Sequence, residues 1–223
     1  MTHDVCVVFD IDDTLYLESV YVRSGFEAVG RWASQWLRIE DFAGRCWNCF
    51  AMGLRGSIFN AVLQETRGES NPELVSALVE IYRTHAPAIA LADDAKESLA
   101  TLSSMASIAV ISDGPIASQS RKVDALGLRR FADPLILTEI MGSAFRKPHP
   151  RAFRQVEKSR PARLHVYVAD NPLKDFTAPK QLGWTTVRVR RPGGLHRKME
   201  NSDVVPDYEM ADCSGLPGLL RSL

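Results

Sequence analysis

The sequence predicts an α/β protein: a Rossmann-like parallel sheet core with an inserted α-helical subdomain. Short apolar runs alternate with helix-like stretches in the second half of the chain, which is the pattern of a parallel sheet covered by helices. One more apolar run, DVCVVFD at 4–10, lies near the start. Residues 16–90 show apolar residues at helical spacing and no strand-like run. We therefore expect a core of residues 1–15 and 91–223 and a helical insertion at 16–90.

The predicted core strands are buried apolar runs whose carboxyl ends are polar. Between them, IASQSRKVDALG ends at Gly127, a residue suited to a helix C-terminus, and HPRAFRQVEKS follows Pro148 and Pro150, which suit a helix start. PLKDFTAPKQLG is a further helix-like stretch, which ends at Gly183 and contains the helix-breaking residue Pro179. The strands after the first are SIAVIS at 107–112, PLILT at 134–138, LHVYVAD at 164–170 and TTVRV at 185–189.

The insertion is expected to consist of amphipathic helices that bury their own apolar faces. The helical stretches are SVYVRSGFEAVGRWASQWL, GSIFNAVLQETRG and NPELVSALVEIYRTHA. The insertion also contains Cys46 and Cys49, spaced as in redox pairs and half zinc sites. These cysteines lie inside a helix-like stretch, and no second pair or local histidine completes a zinc site. We interpret them as packed thiols one helical turn apart.

Charge and hydropathy exclude several classes of partner. Lys plus Arg and Asp plus Glu number 27 each, so the chain lacks the basic surplus of a nucleic-acid binder or of a protein held electrostatically on a membrane. No stretch approaches the roughly 20 apolar residues of a transmembrane helix, and the N-terminus lacks the features of a signal peptide. We expect a cytoplasmic protein with no nucleic-acid or membrane partner. The basic segment 188–198 is interpreted as a solvated loop.

Polar side chains follow several predicted strands. Asp10, Asp12 and Asp13 crowd the end of the first strand, where like charges repel unless a cation or a proton compensates them. Because ligands bind outside the carboxyl ends of parallel strands, these positions are candidates for a site. Ser112 ends the second strand, Lys147 precedes a helix, and Asp170 and Asp175 follow the fourth strand. Each residue alone has an ordinary structural explanation, as a cap, a turn or a solvated charge.

Together these side chains suit phosphoryl transfer. Carboxylate oxygens bind hard divalent cations, and a cation with a lysine neutralises an incoming phosphate. An aspartate can attack phosphorus, and a second carboxylic acid can protonate the leaving oxygen and then activate water.

With the motifs DIDDT, VISDG, RKPHP and ADNPLKD in this order, the chain resembles the haloacid dehalogenase superfamily, in its phosphatase-type branch. The resemblance implies that Asp10 is the nucleophile and Asp12 the general acid and base. It also implies that Ser112 binds the phosphoryl oxygens and that Lys147 neutralises the phosphoryl group. An acid at Asp12 is absent from true dehalogenases, so its presence favours phosphomonoesters.

The same resemblance implies a Mg²⁺ cofactor and a substrate-selecting cap. Thr14 and Asp113 would assist in substrate binding. The insertion matches the family's C1-type helical cap, where Arg55 of the loop GLRGSIFN and Tyr16 are candidate substrate-binding residues. For Arg55 the interpretation as a surface residue of a helix connection is slightly favoured, and Tyr16 has an equally good interpretation as a packing residue. The implied metal ligands are Asp10, the backbone carbonyl of Asp12, Asp170 and Asp175.

The expected function is a Mg²⁺-dependent phosphatase that hydrolyses a small phosphorylated metabolite through an aspartyl-phosphate. A sugar or polyol phosphate is the first candidate substrate and a nucleoside monophosphate the second. A phosphomutase, which is an isomerase with the same nucleophile and metal, is one alternative. The other is a non-catalytic phosphoacceptor or binding protein, but receiver-type signalling domains are shorter and carry their acceptor on a later strand.

Overall fold

The computed structural model describes residues 4–200 and 203–223. Its backbone forms two compact units. One unit comprises the chain up to Ser19 and from Ala90 onward, and the other comprises Val20–Ile89. Within the described residues, no helix combines the length and the apolar character that crossing a membrane would require.

The first unit is built on a six-stranded parallel sheet, which confirms the predicted α/β class. In the strand order β3-β2-β1-β4-β5-β6, the chain runs outward from β1 to β3 and then returns to the other side of β1. The switch in direction therefore lies between β1 and β4, where ligand crevices form in such sheets. The strands are β1 (Val5–Phe9), β2 (Ser107–Ser112), β3 (Leu135–Leu137), β4 (Leu164–Ala169), β5 (Thr185–Val189) and β6 (Tyr208–Met210).

Five of these strands coincide with the predicted apolar runs, but β6 was not predicted. Its three residues, Tyr-Glu-Met, are exposed or half-buried, so they show no apolar run. The edge strand is defined by its pairing with β5, in which Val187 lies opposite Tyr208. In contrast, β1 is buried along almost its whole length because it has neighbours on both sides.

Helices α5 (Asp93–Leu102), α6 (Ile116–Ala125), α7 (Arg151–Ser159), α8 (Thr177–Gln181) and α9 (Leu216–Ser222) belong to the same unit. Gly127 follows α6 with φ of 62°, as expected for a residue that ends a helix. The helix predicted over PLKDFTAPKQLG is shorter than that stretch, because α8 begins only at Thr177. Pro179 is the third residue of α8. At the first four positions of a helix a backbone N–H would have no acceptor within the helix, so a proline there removes no helical hydrogen bond.

The segment 188–198 is only in part the predicted solvated loop, because two of its arginines are buried. Arg188 belongs to β5 and is 1% exposed, and its Nη2 donates to the backbone carbonyls of His196 at 3.0 Å and Met199 at 2.6 Å. The side chain of Arg191 is also buried and pairs with Asp94 through its two terminal guanidinium nitrogens, Nη1 at 2.7 Å and Nη2 at 2.8 Å. These arginines anchor the segment to the core, which composition alone could not reveal.

The second unit contains the predicted helices. They are α1 (Glu18–Leu37), whose first two residues belong to the other unit, α2 (Phe42–Ala51), α3 (Ile58–Arg67) and α4 (Pro72–Thr84). Aromatic rings fill its interior: Phe26 lies within 6.3 Å of Phe50 and 6.1 Å of Phe59, measured between ring centroids. Cys46 is buried and Cys49 is half-buried, and both are free thiols.

Candidate active site

The carboxyl ends of β2, β1 and β4 bring the predicted polar residues to one edge of the sheet. Asp10 directly follows β1, and its backbone N–H still donates to the carbonyl of Val168 in β4 at 2.9 Å. Ser112 is the last residue of β2, and Asp170 directly follows β4. All three are less than 7% exposed. Since β1 lies between β2 and β4, the strand order itself gathers these groups.

Lys147 links two of the predicted carboxylates. Its Nζ lies 2.8 Å from Oδ1 of Asp10 and 2.8 Å from Oδ1 of Asp175, and it donates to the hydroxyl of Tyr167 at 3.0 Å. The ammonium is fully buried. Burial opposes its charge, but the Asp10 and Asp175 carboxylates outweigh that penalty and raise the pKa of Lys147 well above its ordinary value. Lys147 is therefore a permanent cation inside the acidic cluster.

Three carboxylates form a pocket with the donor chemistry of a divalent cation. Carboxylate oxygens of Asp10, Asp170 and Asp175 lie within 4.8 Å of one another. Burial, offset in part by Lys147, raises the pKa of Asp10 to about 7. Burial also raises the pKa of Asp170 to about 6, although a hydrogen bond with His196 opposes the shift. Lys147 and Lys174 lower the pKa of Asp10 without cancelling the effect of burial, so a further cation would favour the ionised carboxylates. Hard oxygen donors of this kind fit Mg²⁺.

Asp12 has a different environment from Asp10. The Nζ of Lys122 lies 2.7 Å from each Asp12 oxygen, and the Tyr16 hydroxyl donates to Oδ1 at 2.5 Å. The amide of Gln119 donates to Oδ2 at 3.1 Å. Burial opposes ionisation of Asp12, but the Lys122 charge and these hydrogen bonds outweigh it, so the pKa lies below its usual range. The pKa values of Asp10 and Asp12 are therefore shifted in opposite directions, upward for Asp10 and downward for Asp12.

Ser112 and Asp113 join this network through Gln119 of α6. The Ser112 hydroxyl donates to Oε1 of Gln119 at 3.2 Å, and the Gln119 amide also donates to the Asp113 carbonyl at 3.0 Å. The Asp113 side chain accepts from the Thr138 hydroxyl at 2.6 Å and from the backbone N–H of Lys147 at 3.2 Å. Asp113 therefore fixes the segment that carries Lys147.

The remaining predicted residues take varied positions. Tyr16 is buried and bonded to Asp12. Thr14 is fully buried, and among the described residues its hydroxyl has no hydrogen-bond partner. In the other unit, the Arg55 guanidinium lies 3.8 Å from the ring centroid of Phe50 and donates to the Phe50 carbonyl at 2.7 Å. Substrate binding by Tyr16, Thr14 and Arg55 stays a prediction.

Sequence reasoning missed the residues that surround the carboxylates. Nδ1 of His196 lies 2.8 Å from Oδ2 of Asp170. The backbone N–H of the neighbouring Leu195 donates to Oδ2 of Asp13 at 2.7 Å. The same segment therefore supports two acidic positions. Its sequence gives no signal for these contacts. Gln119 and Lys122 lie three residues apart on one face of α6, but that spacing does not identify Asp12 as their partner.

Comparison with known proteins identifies one family. A family model described as haloacid dehalogenase-like hydrolase matches residues 5–183. Glyceraldehyde 3-phosphate phosphatases from Methanocaldococcus jannaschii and Methanopyrus kandleri are 28% and 25% identical to the chain, each over 97% of both proteins. Magnesium-bound YfnB from Bacillus subtilis matches 98% of this chain and 99% of its own with a TM-score of 0.71. At 18% identity, that likeness shows the fold alone.

Proposed function

Because the chain belongs to the haloacid dehalogenase-like hydrolases, we propose that it is a Mg²⁺-dependent phosphatase that hydrolyses a small phosphomonoester through an aspartyl-phosphate. One observation carries the proposal: the buried Lys147 ammonium lies 2.8 Å from the Asp10 carboxylate, within a cluster of three carboxylates. A phosphoryl group that approaches Asp10 would meet this cation, and Ser112 and Asp12 lie on adjacent parts of the same network.

In the first step an Asp10 oxygen attacks phosphorus, and the bond from phosphorus to the ester oxygen breaks. Protonated Asp12 gives its proton to the leaving oxygen, so the alcohol departs neutral and Asp12 is left in its ionised form. Lys147 holds the orientation of Asp10 through Oδ1 and adds positive charge where the phosphoryl oxygens gather. The Ser112 hydroxyl would exchange its Gln119 partner for a phosphoryl oxygen.

In the second step water attacks the phosphorus of the aspartyl-phosphate, and Asp12 accepts the proton of that water. The bond between phosphorus and the Asp10 oxygen breaks, which releases inorganic phosphate and restores the carboxylate. The lowered pKa of Asp12 favours this base role, because a general base must be ionised in order to accept the proton of water.

The residues present fit a Mg²⁺ ion. Asp10, Asp170, Asp175 and the backbone carbonyl of Asp12 would hold it. Burial raises the pKa values of Asp10 and Asp170, and the ion would offset that penalty on their charged forms. When bound, the ion supplies positive charge that favours the ionised nucleophile and offsets the phosphoryl charge.

For the substrate we propose a short sugar phosphate, with glyceraldehyde 3-phosphate as the first to test. The support is that two relatives with this activity match the chain over 97% of both lengths. We further propose that the helical insertion is a cap that selects the leaving group, with 16–90 as its predicted limits.

The test is phosphate release by the purified protein from glyceraldehyde 3-phosphate, from a panel of sugar, polyol and nucleoside phosphates, and from 4-nitrophenyl phosphate. We expect release only with Mg²⁺, its loss with a chelator, and no detectable activity in Asp10→Asn. Asp4→Asn, which changes an exposed aspartate of the same unit, should keep wild-type activity. Full activity in Asp10→Asn would contradict the proposal, and so would equal phosphate release by the wild type with and without Mg²⁺. Isomer formation without phosphate release would instead support a mutase.

A further inference from the structure

We propose that Lys122, acting with Gln119 and Tyr16, is a positioning residue that fixes the Asp12 carboxyl group for proton exchange with the leaving oxygen. The inference rests on the proposed function, because it assigns a device that serves the acid and base of that reaction. Lys122 acts through Asp12 and is not expected to touch the substrate.

Lys122 contacts both oxygens of the Asp12 carboxyl group; together with Gln119 and Tyr16 it forms what we call the clamp. Its Nζ lies 2.7 Å from both oxygens of Asp12, so one ammonium bridges the carboxyl group symmetrically. Lys122 is 3% exposed although it lies on a helix, where a lysine ordinarily reaches solvent. Burying a lysine is costly unless an anion compensates the charge, and Asp12 supplies one. The chain thus maintains an internal cation at the second carboxylate as well as at the first.

Two neutral donors complete the clamp. The Tyr16 hydroxyl donates to Oδ1 of Asp12 at 2.5 Å, and the Gln119 amide donates to Oδ2 at 3.1 Å. Each oxygen therefore has a neutral donor as well as the shared ammonium, and rotation of the carboxyl group would break contacts on both sides. Gln119 also accepts from Ser112 at 3.2 Å, which ties the orientation of Asp12 to the residue proposed to bind the phosphoryl group.

Positioning of this kind has a measurable consequence. A well-placed general acid contributes about 10² to 10⁴ to the rate, and a displacement of about 1 Å can remove a factor of roughly 10². The loss should depend on the leaving group. An alkoxide needs the Asp12 proton to depart, whereas 4-nitrophenolate is a stable anion that leaves without one.

The experiment compares kcat/KM of wild type and Lys122→Met on glyceraldehyde 3-phosphate and on 4-nitrophenyl phosphate at saturating Mg²⁺. We expect a loss of about 10²-fold on the sugar phosphate and less than about fivefold on the aryl phosphate. Tyr16→Phe removes only the hydroxyl. It should also lower kcat/KM more on the sugar phosphate than on the aryl phosphate, by a smaller factor than Lys122→Met. It also serves as the test if Lys122→Met fails to fold. Lys158→Met, an exposed lysine on α7, is the matched control and should leave both values unchanged.

The outcomes separate the two proposals. Equal losses on both substrates would mean that Lys122 only maintains the fold, and unchanged activity on both would mean that it has no role; either result overturns the inference. A wild-type protein without Mg²⁺-dependent phosphate release would refute the proposed function itself, before any variant is compared.

Discussion

Asp10→Asn is expected to inactivate the enzyme and to stabilise the Mg²⁺-free protein at the same time. Asp10 is 4% exposed, and burial raises its pKa from the ordinary value of 3.8 to about 7. The folded state therefore resists ionisation of this group, while the unfolded chain does not. Asparagine has nearly the same shape and carries no charge, so the substitution removes the penalty together with the nucleophile.

The magnitude follows from proton linkage. Because the folded-state pKa lies above the unfolded value, the Mg²⁺-free wild type loses stability as pH rises from the ordinary value of 3.8 through about 7. At 1.36 kcal/mol per pKa unit, the free-energy penalty is about 4 kcal/mol at pH 8 and about 2 kcal/mol at pH 5. Asparagine does not titrate, so the stability gained by Asp10→Asn should shrink by about 2 kcal/mol between pH 8 and pH 5.

The assay is urea unfolding with a chelator at both pH values, followed by fluorescence and by circular dichroism. Asp4→Asn, at an exposed carboxyl group of the same unit, should change stability by less than about 0.5 kcal/mol at either pH. Saturating Mg²⁺ should stabilise the wild type more than Asp10→Asn, since the variant lacks one of the proposed ligands. If Asp10→Asn is less stable than wild type at pH 8, or if its advantage does not depend on pH, the account of Asp10 is wrong.

Three further predictions concern the groups around Asp10. Lys147→Met leaves Asp10 and Asp175 buried without their shared cation; it should abolish phosphate release and lower the free energy of unfolding at pH 8 by about 3–5 kcal/mol in urea titrations. His196→Ala removes the hydrogen-bond partner of Asp170 and should weaken Mg²⁺ binding roughly 10- to 100-fold by titration calorimetry, while kcat at saturating Mg²⁺ changes little. In the wild type, Mg²⁺ affinity should fall about tenfold from pH 8 to pH 6, because the ion must displace a proton from Asp10.

The sheet and the principal carboxylates could be predicted because both depend on local signals. Buried parallel strands appear as apolar runs, and polar residues at their carboxyl ends stand out against that background. Asp10, Ser112 and Asp170 were therefore placed correctly at one sheet edge without knowledge of a single contact. In β6 the backbone pairs with β5 although its side chains are largely exposed, so hydropathy gave no signal there.

The charged residues that support the site could not be predicted, since their roles depend on contacts distant in sequence. Lys122 is 110 residues from Asp12, and His196 is 26 residues from Asp170. In the sequence, Lys122 resembles a surface lysine of an amphipathic helix. The basic segment 188–198 resembles a solvated loop, yet Arg188 is almost fully buried. Burial of a charge is decided by its partner, and a single sequence does not identify that partner.

The contrast between Asp10 and Asp12 explains how two carboxyl groups two residues apart can perform different tasks. Asp12 has a lysine bound to both oxygens and has a lowered pKa, so its ionised form is stable without further help. Asp10 shares its lysine with Asp175 and has a raised pKa. At neutral pH the proposed nucleophile therefore depends on an added cation for full ionisation, whereas the proposed base does not. This distribution of lysines among the carboxylates supports the proposed Mg²⁺ requirement, independently of any charge on the substrate.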